Sequence, residues 1–207
     1  APDYECLLGG GSYVLGSLNN TVIESGQAFL VRGTTGGSLT VKEIAKRAGS
    51  ATGNLGLRPV GAVKKLKAGL YAEGEMLDAA QVRFGTAFTN AVNEEDADKL
   101  GNPGVNLAVE QDQRLLAVEG RAEPGAGETV IRYRMWNLKP GTYRLELEEK
   151  DLLAEGLEGE VRDSYTGQVM PLQATGTTKL NFTVNGDAAS AAPNRFTVVL
   201  RKNSGAV

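Results

Sequence analysis

The sequence predicts an all-β fold, an antiparallel β-sandwich of jelly-roll-like kind with an N-terminal partial β segment. Three observations carry that prediction. Five amphipathic segments follow one another from Glu128 to Lys202: ETVIRYRMW, GTYRLELEE, LEGEVRDSYTGQVMPL, TKLNFTVNG and NRFTVVLRK. Within them apolar residues recur at every second position, as in Tyr143, Leu145 and Leu147, in Leu180, Phe182 and Val184, and in Phe196, Val198 and Leu200. Successive strand residues point to opposite faces, so each segment is a half-buried strand whose apolar face must pack on another layer. Finally, 27 glycines against 6% aromatic residues indicate short strands joined by tight turns.

Residues 1–50 read as an N-terminal hairpin segment, with AFLVR and LTVKEI separated by a glycine-containing turn. Two or three strands alone are marginal, so this segment needs a partner sheet and is an expected assembly contact. Residues 51–61, rich in Gly, Thr, Asn and Pro, are the expected linker, and residues 62–207 the sandwich. In the latter, LKAGLYAEG and LDAAQVRFG pair around Gly74, and VNLAVEQ pairs with QRLLAVEGR around Asp112. A helical turn is expected around Glu94 to Leu100, ended by Gly101 and Pro103, and another in KDLLAEGL from Lys150 to Leu157. The count from residue 62 onward is nine or ten strands. No long helices alternate with them, which disfavours a parallel α/β sheet.

The chain has no histidine, and so lacks the commonest general base near neutral pH and the commonest imidazole metal ligand. Its many acids offer no way to choose a glycosidase pair. The cluster Asn93, Glu94, Glu95, Asp96 and Asp98 is dense enough in oxygen for calcium, but it lacks EF-hand spacing and reads better as a solvated loop. The Gly9 to Gly11 run has no P-loop context. Cys6, the single cysteine, has no internal partner. Tyr133, Trp136 and Tyr143 would make an aromatic sugar platform only if exposed together, and their parity favours core packing. The short basic cluster Lys64, Lys65 and Lys67, in a chain of net charge -3, gives no nucleic-acid patch. No segment reaches the length of a membrane span. The reading is therefore non-enzymatic, without catalytic, cofactor-binding or metal-binding residues.

The order VRFGTAFTNAVNEEDADKLGN, NLAVEQDQRLLAVEGR, LKPGTYRLELEE, LEGEVRDSYTGQVMPL, LNFTVNG and NRFTVVLRK resembles a β-sandwich region of secreted surface proteins of Bacteroidota. In those proteins the region lies immediately upstream of the C-terminal type IX secretion sorting domain. IESGQAFLVRG and LTVKEIAKR are similar to the segment before it. The resemblance implies export and an extracellular or cell-surface location, and it brings no catalytic residue. With neither signal peptide nor sorting domain in the sequence, the expectation is a piece of a longer precursor, cleaved or shortened.

Two functions follow as expectations. The first is an extracellular structural or adhesive protein, a protomer of a surface filament or layer that self-associates through strand contacts, with residues 1–32 as the contact segment. The second is a carbohydrate-binding accessory module of a secreted enzyme, with surface glycans as partners.

Overall fold

The computed structural model describes residues 64–202, apart from 94, 154 and 155. The expected N-terminal hairpin, the linker, Cys6 and the Gly9 to Gly11 run lie outside the described residues.

The described chain is all-β, with no α-helix. Its strands are β1 (Lys64–Ala72), β2 (Glu75–Phe84), β3 (Ala97–Asp98), β4 (Asn106–Gln111), β5 (Arg114–Arg121), β6 (Thr129–Trp136), β7 (Gly141–Lys150), β8 (Leu157–Asp163), β9 (Val169–Pro171), β10 (Thr177–Val184) and β11 (Phe196–Lys202). One sheet joins them in the order β10-β7-β1-β2-β5-β4-β6-β11-β8-β9, with the two-residue β3 beside β5.

Both expected hairpins form, each on a two-residue turn. Ala72 faces Glu75 across Glu73 and Gly74, whose φ angles are 52° and 88°. Gln111 faces Arg114 across Asp112 and Gln113, at 49° and 64°. Paired left-handed residues twist the chain the way two antiparallel strands need, which is why such turns close hairpins.

The sheet is mostly antiparallel, but β2 and β5 run parallel, with Val82 opposite Glu119 and Phe84 opposite Arg121. The hairpin pattern hides this seam, because β2 and β5 each look like one arm of an antiparallel pair. Of the expected helical turn over Glu94 to Leu100, the described residues 95–100 show no helix. Asp96 instead lashes the segment to β5 by accepting from the Gly120 amide at 2.8 Å, and Ala97 and Asp98 pair as β3. In KDLLAEGL, Leu153 takes 3-10 geometry, and the Glu149 carboxylate accepts from the Leu152 and Leu153 amides, both at 3.1 Å.

The five C-terminal segments yield six strands, since Ser164 to Gln168 breaks the third into β8 and β9. They do not form a meander. β7 and β10 pair together, whereas β6, β11 and β8 lie side by side at the other end of the path. The sheet wraps one core until it nearly closes into a barrel. Phe182 of β10 meets Phe196 of β11 edge to face, with ring centroids 4.8 Å apart. Tyr143, Leu145 and Leu147, and Leu180, Phe182 and Val184, all point inward as their alternation predicts.

Three glycines allow close approach of a large side chain to a strand. A Cβ on Gly69 would stand 2.8 Å from Tyr71 Cε2, one on Gly120 2.9 Å from Phe88 Cδ1, and one on Gly159 2.7 Å from Leu172 Cδ1. Rings and Leu172 lie where a side chain would otherwise stand.

Candidate functional site

Buried polar groups are the first place to look for chemistry, because burial without a partner is costly. Arg195, just before β11, and Asp163, at the end of β8, are each 1% exposed at the side chain. Arg195 Nε and Nη2 donate to the two Asp163 oxygens at 2.8 and 2.7 Å, and its Nη1 donates to the Ser190 and Thr183 carbonyls at 2.7 and 3.1 Å. The guanidinium carbon lies 4.8 Å from the Tyr165 ring centroid, 4.9 Å from that of Phe182 and 5.2 Å from that of Phe196. Asp163 also accepts from the Tyr165 amide and Thr166 Oγ1. Burial alone would raise its carboxyl, but the hydrogen bonds and charge of Arg195, with those of Thr166 and Tyr165, hold it below the ordinary 3.8. Each side-chain nitrogen of Arg195 and each oxygen of Asp163 has a protein partner, so the pair fastens β8, β10 and β11 together.

A second buried pair sits on the parallel seam. Arg121 donates to Glu119 Oε1 from Nε and Nη2 at 3.0 and 2.6 Å, to the Val130 carbonyl at 2.7 Å and to Gln111 at 3.0 Å. Glu119 Oε2 and Tyr133 Oη have no hydrogen-bond partner among the described residues. Burial pushes the Glu119 carboxyl above 4.5, only partly offset by Arg121, and burial likewise pushes the Tyr133 phenol up.

The residues singled out in the sequence are held in structural contacts. Asp96 accepts from the Asn93 amide at 2.7 Å as well as from Gly120, and Asp98 pairs with Arg114. Among the described residues no group of three or more His, Cys, Asp or Glu is placed to hold a metal ion. Tyr133 and Tyr143 are core residues, and Trp136 is half-buried, so no exposed aromatic platform joins the three. One shallow cleft of about 100 Å³ is lined by Tyr71, Thr142, Arg144 and Asn181 among others. Arg144 covers the Tyr71 ring there, 5.1 Å from its centroid.

Among the described residues one long sheet edge has no strand beside it. β10 pairs with β7 alone among the described strands, so its other side carries backbone groups with no strand beside them. The Thr183 carbonyl on that side is taken by Arg195. Lys179 and Asn181 share its orientation by the two-residue alternation of an antiparallel ladder, and no backbone partner meets them among the described residues. The side chain of Lys179, 58% exposed, reaches back to Glu146 at 3.6 Å. The opposite end of the sheet is blunted, because β9 is three residues long and ends in Pro171. Sequence reasoning missed this site, since an edge is a property of strand order and leaves no mark on alternation.

Comparison with protein-family models, with curated proteins and with solved structures returns no match for this chain. Among the described residues no helix is long and apolar enough to cross a membrane.

Proposed function

We propose that the chain is a non-enzymatic structural or adhesive protein of the cell surface, a protomer that self-associates by adding a strand of another copy to the β10 edge. The observation that carries this reading is the eight-residue β10, which among the described residues has no strand on one side, while the other end of the sheet is short and proline-guarded. Main-chain groups supply the affinity in such a contact, and the alternating side chains of β10 supply the register. The donor is the N-terminal segment, residues 1–32, of a neighbouring copy. The fully partnered Arg195–Asp163 pair and the capped Tyr71 ring favour a scaffold over a reaction site.

At the finer level of fold, we read the two ends of the strand path as the facing layers of a jelly-roll-like sandwich. The support is that β6, then β7, then β8 with its neighbour β9, then β10 and then β11 fall at alternate ends. Secretion by the type IX route rests on the sequence resemblance alone.

Sedimentation velocity and electron microscopy of the full chain test assembly. Asn181→Pro removes an outward N–H and adds a ring on the open side, a change that edge strands tolerate. It is expected to abolish higher oligomers while the unfolding midpoint stays near that of the wild type, and removal of residues 1–32 is expected to do the same. Oligomers that persist in both variants would sink the reading.

A further inference from the structure

The outer face of β2, β1 and β7 brings together cations that are far apart in the chain. Lys65 stands opposite Arg83 on one side and opposite Lys150 on the other. Lys67 follows two residues along β1 on the same face. Their neighbours Leu66, Val82 and Leu147 are buried, so the alternation turns all four cations outward. Lys65, Lys67 and Arg83 are half-buried and Lys150 is exposed. Ion pairs hold Lys64, Lys99, Arg114 and Arg134, but among the described residues none forms at these four, although Glu148 stands opposite Lys67. Adjacent strands lie about 4.8 Å apart, so the row Arg83, Lys65, Lys150 spans roughly 10 Å. Like charges placed directly opposite one another cost stability, and here three stand in register in a chain whose net charge is -3.

We propose that this row binds an acidic polysaccharide, whose carboxylate or sulfate groups lie across β2, β1 and β7. The row is linear and short, which suits a single extended polymer with spaced charges. Glu148 on the next rung and Glu146 on the one after it confine the positive field to this row, which a broad plane of anionic lipid does not match. Gln81 and Thr177, on the rung of Lys67 and Glu148, offer hydrogen bonds of the kind sugar hydroxyls use. The inference names a partner for the adhesive reading and rests on that reading, but it uses a different surface from the β10 edge.

Binding of the full chain to polygalacturonate, measured by calorimetry in low salt, tests it, with uncharged dextran, phosphatidylglycerol vesicles and single-stranded DNA in parallel. The expected result is saturable binding to polygalacturonate that weakens with added salt, and none to dextran. The combined variant Lys65→Gln, Arg83→Gln and Lys150→Gln is expected to lose about tenfold or more in affinity. Its unfolding midpoint should be equal or higher, because facing like charges are removed, and its self-association should be unchanged. The single Lys65→Gln change, at the centre of the row, is expected to move affinity the same way by less. The proposal is overturned if the wild type does not bind polygalacturonate, if the variants bind as tightly as it does, or if vesicles or DNA bind more tightly.

Discussion

Arg195 holds Asp163 by two parallel hydrogen bonds of 2.8 and 2.7 Å inside a cage of three aromatic rings. Removing one partner strands a buried charge, so Arg195→Met or Asp163→Leu is expected to destabilise the fold by about 3–5 kcal/mol. Replacing both together should cost less than either change alone. Urea unfolding of the two single variants and the double variant measures the coupling, and simple additivity would refute it.

The two buried carboxyls predict opposite pH dependences. Asp163 is held below its ordinary 3.8, so its stabilisation is present above that value and is lost as pH falls through the lower folded value. Glu119 is held above 4.5, so its contribution is fully present below 4.5 and is lost as pH rises through the raised folded value. Stability is therefore expected to rise as pH falls through the raised Glu119 value and to fall again as pH drops through the lowered Asp163 value. In Glu119→Gln the first limb should flatten while the second remains, as read from urea midpoints across pH.

Gly159 and Leu172 exclude one another's atoms. A methyl group at 159 would lie 2.7 Å from Leu172 Cδ1 and 3.0 Å from Leu200 Cδ2, so Gly159→Ala should destabilise by about 1–3 kcal/mol. Adding Leu172→Ala should recover part of that loss. Gly125→Ala and Gly127→Ala, where a Cβ meets nothing within 4 Å, are the neutral controls. Thermal unfolding of the set separates these outcomes.

Tyr143 ties the entry of β7 to the chain before it, accepting from the Lys139 amide at 3.0 Å and donating to the Lys139 carbonyl at 2.9 Å. Tyr143→Phe keeps the ring stacked on Phe182 and loses both bonds, and should cost about 1 kcal/mol in chemical denaturation. No measurable loss would show that the corner does not contribute.

Strand positions were legible because burial of one face imprints alternation on the chain. Leu66, Ala68 and Leu70, and Val82 and Phe84, lie inward as their spacing requires. Turn chemistry marked both hairpins. Neighbour relations were not legible: β7 and β8 carry similar patterns yet pair with different partners, because every strand around a shared core needs the same amphipathicity. The seam of β2 with β5 was hidden for the same reason. The acids of the Asn93 to Asp98 loop suggested solvated charge, but Asp96 is buried because the Gly120 amide needs an acceptor. The basic row escaped notice because Arg83 and Lys150 join Lys65 only through cross-strand register.

The unequal ends of the sheet also bear on symmetry. If the β10 edge left without a strand among the described residues is the contact, two copies joined β10 to β10 would share a two-fold axis, use up both edges and stop at a dimer. A strand donated from elsewhere in the neighbouring chain leaves that neighbour's own edge free, so the series continues head to tail. Under the proposed assembly, closure in pairs and growth without limit are thus distinguished by which segment occupies β10.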